Sequence, residues 1–245
     1  MPFHGPIFKT KMPHYIMRGE LRTPNPPEDY CRKKLCPPDV NHIACDIPFW
    51  GPRCTKPRDG VNMEKLKIII VDHHNNLRDR LSRAPFLKNL PPAKALPKIY
   101  WDHELSILAM RVTNFCNDDK VSECVNTARF LNVARSSFKS DDLPAHYTPF
   151  TFTLFAIEKV WFSHSENVDE KFVYSFPSNA SRKDYELANI INHKVNYVGC
   201  GILIQGPGHK RIFYITCLYN EKAKPGEKLY ELQELKPKIA IISEK

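Results

Sequence analysis

Cysteine is the residue type that most constrains how this chain can fold. Eight cysteines occur, and four of them crowd a proline-rich segment between residues 31 and 54. Such a segment needs covalent anchors, and an even number of cysteines at these spacings is typical of disulfides. A zinc site would need cysteines about two to four residues apart, and only Cys31 and Cys36 come near that spacing. Since no Cys-x-x-Cys is present, the sequence predicts disulfides rather than zinc ligands or a thioredoxin-like redox pair.

Disulfides indicate export, but the start of the chain does not show it. Residues 1–30 contain no continuous apolar stretch of the kind found in signal peptides. The cysteines decide this conflict: we expect a secreted, extracellular protein whose signal peptide is not visible and whose true N-terminus is missing or misassigned. The triplet Asn179-Ala180-Ser181 is the one N-glycosylation sequon, which agrees with export. The longest apolar run, residues 68–71, is far shorter than a membrane span.

The chain is basic, with 36 Lys and Arg against 27 Asp and Glu, which gives a formal net charge of +9. This balance favours acidic partners such as phosphorylated lipid head groups, glycans or nucleic acid. The sequence contains no RNA-binding aromatic motif, zinc finger or basic helix. We therefore interpret the charge as a solvated basic surface and expect no nucleic-acid partner.

Hydrophobic periodicity predicts three helices. The first covers residues 59–83, where apolar side chains recur at helical spacing before Pro85. The second begins after Asp102, whose side chain can cap its first turn. The third covers residues 146–169 and carries apolar residues on more than one side, which predicts burial on more than one side.

The clearest strand patterns lie near the C-terminus. Residues 195–204 and 211–219 flank a GPGHK turn, and each segment contains one cysteine. An antiparallel hairpin stapled by Cys200 and Cys217 follows from this pattern. Helices interleaved with a small antiparallel sheet predict an α+β layered sandwich.

Several separated motifs occur in an order that resembles one secreted family. They are YCRKKLC, HIAC, GPRC, HNNLR, LPKIYWDHELSILAMRVTNFC, YVGCG and a Cys-x-Tyr strand. This order is similar to the cysteine-rich secretory proteins, the antigen 5 venom proteins and the plant pathogenesis-related proteins, known together as the CAP or SCP domain family. The resemblance covers about residues 28–232 and is closest to insect antigen 5-like proteins.

The resemblance implies a three-layer α-β-α sandwich with an N-terminal arm pinned by disulfides. It divides the chain into a flexible proline-rich arm (1–27), a cysteine-rich segment (28–58), a domain core (59–220) and a C-terminal extension (221–245). It also implies the disulfide pairing, which is Cys31 with Cys45, Cys36 with Cys124, Cys54 with Cys116, and Cys200 with Cys217.

Many members of this family hold two His and two Glu in a central cleft that can bind a divalent cation. The segment that would supply the first His, CNDDKVSEC, contains none, and Leu131 stands where the first Glu or Gln is expected. His164 stands at the second Glu position and Glu186 at the last His position. The resemblance therefore implies a degenerate cleft. A retained metal site, a hydrogen-bonded pair of His164 and Glu186, and no interaction between them stay open as alternatives.

Other residues that could carry chemistry favour structural interpretations. His73 and His74 are neighbours on a helix and point about 100 degrees apart, so they do not chelate one ion together. The tripeptide Arg58-Asp59-Gly60 has the wrong order for an integrin motif, and its Asp-Gly pair predicts a turn before the first helix. Ser136 and Ser137 have no positioned His and Asp partners in the sequence, which argues against a serine hydrolase.

We therefore expect a non-catalytic, monomeric binding protein without a cofactor. Some family members bind sterols or fatty acids, and Phe152, Phe155 and Phe162 could line such a groove, although ordinary core packing explains them as well. Recognition of a protein partner is the other binding hypothesis. The alternative from another class is a metal-dependent hydrolase with an altered cleft site.

Overall fold

The computed structural model describes residues 30–32, 34–83, 89–116, 124–140, 143–144, 146–208 and 210–233. The predicted arm at residues 1–27 lies outside these ranges, as does most of CNDDKVSEC. Within them, no helix has both the length and the apolar character needed to cross a bilayer.

Five strands form one sheet. They are β1 (Arg58–Gly60), β2 (Tyr100–Trp101), β3 (Ala134–Ser140), β4 (Tyr197–Gln205) and β5 (Ile212–Tyr219). The order is β1-β4-β5-β3, all antiparallel, while β2 pairs in parallel with the start of β4. The predicted hairpin is present as β4 and β5. The predicted Asp-Gly turn is wrong, because Asp59 and Gly60 instead pair with Ile204 and Leu203 as part of β1.

Helices make up most of the remaining structure. They are a short 3-10 turn (Met63–Lys65), α1 (Lys67–Leu81), α2 (His103–Thr113), α3 (Pro149–Phe155), α4 (Glu170–Tyr174) and α5 (Arg182–Ile191). The first two predicted helices are present, and Asp102 caps α2 by accepting a hydrogen bond from the Leu105 amide at 2.9 Å. The predicted third helix is helical throughout, but it changes after α3 to a π-helical turn (Ala156–Trp161) and then to a 3-10 turn (Phe162–Glu166).

The elements form three layers. Val198, Cys200 and Ile202 of β4 face the larger core, which α1, α3 and α5 cover. The alternate residues, Gly199 and Gly201, face α2, and a Cβ atom at Gly201 would lie only 2.5 Å from the Met110 Cα. Glycine is required here because the helix backbone lies directly on the strand. The α-β-α sandwich expected from the resemblance is confirmed.

Four disulfides hold the chain together, and they include all eight cysteines. The pairs are Cys31 with Cys45, Cys36 with Cys124, Cys54 with Cys116, and Cys200 with Cys217, as the resemblance implied. Cys36–Cys124 and Cys54–Cys116 span 88 and 62 residues and fix the N-terminal segment to the region beside α2. In the chain-entropy account, each such loop closure stabilises the fold by about 4 to 4.5 kcal/mol.

Part of the segment expected as a C-terminal extension belongs to the core. Leu229 and Tyr230 are fully buried, and the backbone of Leu229 bonds to Val173 and His193. The Tyr230 hydroxyl donates to the Pro91 carbonyl at 2.9 Å. Residues 221–233 therefore close one side of the larger core.

Candidate functional site

The structure gives different partners to the residues that the resemblance assigned to a degenerate cleft. His164 lies in the 3-10 turn after α3, and its Nε2 is 2.8 Å from Oδ1 of Asp184, not from Glu186. Glu186, on α5, accepts a hydrogen bond from Nε of Arg182 at 2.9 Å. Leu131 lies on the surface, with 65% of its area exposed. Each residue therefore has its own surroundings, and His164 and Glu186 form no pair.

Asp184 holds the His164 side of this region in place. It is the third residue of α5 and forms a capping box with Ser181, in which each side chain bonds the other residue's backbone amide. Burial alone would raise the pKa of Asp184, but the hydrogen bonds from Ser181 and His164 outweigh burial and lower it. A carboxylate at a helix N-terminus is also stabilised by the helix dipole. The carboxylate that bonds His164 thus also caps the N-terminus of α5.

Arg182 and Glu186 cover the outer edge of β3. Besides its bond to Glu186, Arg182 donates from its guanidinium to the Ser137 carbonyl oxygen, and Glu186 accepts from the Ser137 amide. The Glu186 carboxylate is buried, and this burial raises its pKa although the bond from Arg182 acts in the opposite direction. One ion pair therefore satisfies a backbone donor and a backbone acceptor of an edge strand.

Next to this pair, a chain of buried polar groups crosses the interior. Asn189 donates from Nδ2 to Oγ of Ser136 at 3.0 Å, and Ser136 bonds the Tyr219 hydroxyl. That hydroxyl lies 3.0 Å from Nε2 of His74, whose Nδ1 lies 2.7 Å from the Ile70 carbonyl oxygen. Because a carbonyl only accepts, the proton of His74 is on Nδ1, and Nε2 accepts from Tyr219.

The polar chain is suited to structure rather than to proton transfer with solvent. His74, Ser136 and Tyr219 have no exposed surface. Burial lowers the pKa of His74 to about 4 and raises the pKa of Tyr219 above its usual value. Both groups are therefore neutral at physiological pH. The side-chain partners of Ser136 and Ser137 are Asn189 and Thr216 rather than a His and an Asp, so neither serine has the contacts of a catalytic triad.

The residues present do not fit the divalent cation that the resemblance associates with this cleft. Leu131 has no donor atom, and His164 and Glu186 are engaged by Asp184 and Arg182. Among the residues that the structure describes, three ligand atoms of the right types converge only at Cys31, Cys45 and Asp46. The two cysteines there form a disulfide and offer no thiolate. A zinc site needs at least three protein ligands in most cases.

Two of the three phenylalanines predicted to line a groove belong to the core. Phe152 and Phe162 are almost completely buried, and the ring of Phe152 lies 5.1 Å from that of Phe213. Phe155 is half-buried and lies 6.0 Å from the ring of Tyr147. These positions match the core-packing interpretation for Phe152 and Phe162, and they leave Phe155 as the one residue of the three with access to solvent.

A group of exposed and half-buried aromatic and apolar side chains was not recognised in the sequence. We name it the aromatic surface, and it consists of Tyr100, Phe130, Leu131 and Tyr197. The ring of Tyr197 lies 5.6 Å from Phe130 and 6.4 Å from Tyr100, while Tyr100 and Leu131 are 60% and 65% exposed. The rings come from β2, β4 and the loop before β3, so only the folded chain brings them together.

Arg129 anchors one edge of this surface. Its Nη2 lies 2.8 Å from Oδ2 of Asp102 and 2.9 Å from Oε2 of Glu104, and both carboxylates are buried at the start of α2. The guanidinium carbon also lies 4.7 Å from the ring centre of Phe130, a cation–π distance. The loop that carries Phe130 and Leu131 is thus tied to a helix terminus.

A three-layer α-β-α sandwich with this disulfide pattern defines the class of the protein. Comparison with known families gives the same result, because residues 71–219 match the Cysteine-rich secretory protein (CAP) family. The chain belongs to this family.

Similar proteins include tabinhibitins and venom allergens of insects. Tabinhibitin 3 of Tabanus yao is 28% identical over 83% of this chain and 78% of its own length. Venom allergen-1 of Aedes albopictus is 29% identical over 82% of this chain and 78% of its own. Among solved structures, BmVAL-1 aligns with a TM-score of 0.58 at 19% identity, over 71% of this chain and 86% of its own. NaASP2 with Zn2+ aligns with a TM-score of 0.55 at 18% identity, over 74% and 91%. The structural similarities establish the fold.

Proposed function

We propose that this chain is a secreted, non-catalytic binding protein of the CAP family, and that it binds a protein partner through the aromatic surface. Export is supported by four disulfides that leave no free cysteine. The non-catalytic role is supported by the contacts of the cleft residues, because their polar side chains bond one another and the backbone of β3 rather than facing an open site.

An enzyme of this family would need polar groups free to act on a substrate. Glu186 is bonded by Arg182 and the Ser137 amide, and His164 by Asp184. A general base must reach the proton that it removes, and a buried carboxylate bonded by Arg182 and the Ser137 amide does not. These contacts support a structural role for the former cleft.

The aromatic surface has the features of a protein-binding site. Tyr, Trp and Arg are enriched among residues that dominate binding energy at interfaces, and the surface combines two tyrosines, a phenylalanine and a leucine beside Arg129. The anchoring of the Phe130 loop by Arg129 also favours binding, because less conformational freedom is lost on association. Tyr100, Leu131 and Tyr197 are exposed although they are large and hydrophobic, which marks an interaction surface when such residues are contiguous.

The test compares two positions whose aliphatic side chains have the same size and the same exposed fraction. Leu131 of the aromatic surface and Ile68 of α1 are each 65% exposed. A photoreactive amino acid at position 131 should capture a specific protein from the extracellular fluid of the source tissue, and the same group at position 68 should not.

The captured protein is then expressed and its Kd measured directly. We expect Leu131→Asp to weaken binding by roughly tenfold or more, as for an interface hot spot, while Ile68→Asp leaves the Kd unchanged. Equal capture at both positions, or equal Kd values for the two variants, would refute this assignment.

A small hydrophobic ligand is the second candidate, and Phe155 is the observation that favours it. This ring is half-buried beside Tyr147 and Phe138. Native mass spectrometry of the exported protein should show a copurified lipid if the groove exists, and Phe155→Asp in a folded protein should release it. Unchanged affinity for a fluorescent fatty acid in this variant would exclude Phe155 from any such groove.

A further inference from the structure

Positive charge is concentrated at one end of the sheet. We name this region the basic patch, and it consists of Arg53, Lys56, Arg58, Lys210 and Arg211. These five cations occur in residues 50–60 and 205–212, which together contain a single carboxylate, Asp59. Arg53, Lys56 and Lys210 are exposed.

The two segments are held against each other by backbone and side-chain bonds. The Gly206 amide donates to the Pro57 carbonyl at 2.9 Å, and Gln205 donates from Nε2 to the Thr55 carbonyl at 3.0 Å. The disulfide of Cys54 anchors the same loop. These bonds hold the two backbone segments that carry Lys56 and Lys210 against each other.

An open cleft adjoins the cations. It has a volume of about 560 Å³ and is lined by Trp50, Lys56, Pro57, Arg58 and Asp59. The guanidinium carbon of Arg58 lies 3.9 Å from the ring centre of Trp50, and Arg58 also donates to the Cys54 carbonyl oxygen. The stacked guanidinium is preorganised, which reduces the entropy lost when it binds an anion.

We propose that the basic patch binds a sulfated glycosaminoglycan. The repeated sulfates of such a chain match several fixed cations along one edge, and the cleft beside Trp50 can take a sugar ring. The choice of a glycan over nucleic acid rests on the proposed function, since an exported protein meets sulfated glycans outside the cell. This surface is distinct from the aromatic surface and from the former cleft.

The probe is heparin, and the test compares two variants of equal net charge. Lys56→Glu/Lys210→Glu changes the basic patch, whereas Lys94→Glu/Lys183→Glu changes two exposed lysines elsewhere. The loss of two exposed ion-pair contacts should weaken heparin binding by roughly threefold to thirtyfold, with elution from heparin at lower salt. The control variant should bind heparin as the unchanged protein does.

Three results would overturn the proposal. The first is equal loss of heparin affinity in the two variants, which would mean that net charge alone decides binding. The second is elution of the unchanged protein from heparin at the same salt as from a simple sulfopropyl matrix. The third is competition by duplex DNA as strong as by heparin at equal charge concentration, which would assign the patch to nucleic acid. Because heparin binding does not involve Leu131, failure here leaves the proposed function untouched.

Discussion

Replacement of Arg182 by alanine should destabilise the fold in a pH-dependent way. The change leaves the Glu186 carboxylate, 4% exposed in the folded chain, without its cation, and it leaves the Ser137 carbonyl oxygen without a donor. Removing one partner of a fully buried ion pair costs about 3 to 5 kcal/mol. The Arg182 side chain is 65% exposed, so water can replace part of the interaction. We therefore expect a loss of about 2 to 3 kcal/mol at pH 8.

The pH dependence follows from the raised pKa of Glu186. A carboxyl whose pKa is higher in the folded state than in the unfolded state binds more protons when folded, so stability falls as pH rises through this interval. Loss of Arg182 raises the folded pKa further. A larger fraction of Glu186 is protonated in the variant at the lower pH, so the destabilisation should be smaller at pH 5 than at pH 8.

The assay is urea unfolding with the disulfides intact, at pH 5 and pH 8. Lys183→Ala is the matched control, because Lys183 is an exposed neighbour on α5, and it should change the free energy of unfolding by less than about 0.5 kcal/mol. If Arg182→Ala is no less stable than the control at pH 8, the ion pair does not hold the edge of β3 and the reasoning fails.

Three further predictions concern the core and the surface. The pKa of His74 is about 4 in the fold and about 6.5 in model peptides, so the unfolded state binds more protons between these pH values. The free energy of unfolding should therefore fall by up to about 3 kcal/mol as pH drops from 7 to 4, and His74→Gln should reduce this pH dependence. Gly201→Ala should cost about 1 to 3 kcal/mol or prevent folding, because its Cβ would meet Met110 backbone at 2.5 Å, whereas Gly60→Ala, with only a side-chain contact at 3.8 Å, should be nearly neutral in thermal unfolding. Asn179 lies in an exposed turn, so protein from a secreting eukaryotic cell should lose mass on glycosidase treatment, and Asn179→Gln should abolish that loss.

The sequence predicts those elements whose local residue pattern reflects their burial and their ends. The β4–β5 hairpin was recognisable because its apolar runs flank a Gly-Pro turn, and α2 because Asp102 precedes a regular apolar stripe. The hairpin pattern also indicated the Cys200–Cys217 disulfide, whereas the other three disulfide pairs came from the resemblance alone. By contrast, β3 has the sequence ARSSFKS, a polar segment without strand alternation. Its serine side chains form hydrogen bonds with residues of α5 and β5 instead of packing in a hydrophobic core.

The site was harder to predict because its contacts join distant segments. Arg182 and Ser137 are 45 residues apart in the chain, and nothing in either local pattern indicates that one covers the other. The resemblance placed His164 and Glu186 at two positions of one cleft, but it could not show that Asp184 and Arg182 would bond them. The aromatic surface similarly combines three separate segments, in which each ring alone is an ordinary exposed side chain.

Zinc binding tests the central claim most directly, because His164 and Glu186 are bonded by Asp184 and Arg182 and we propose that they hold no metal. The chelated protein is titrated with zinc while bound metal is measured by native mass spectrometry and stability by thermal unfolding. We expect no stoichiometric zinc and no rise in Tm. At a free zinc concentration of about 100 times the Kd, binding to one site would stabilise the fold by about 2.7 kcal/mol. A Tm rise of that size, lost in His164→Ala but kept in a variant of a distant histidine such as His103→Ala, would contradict the account.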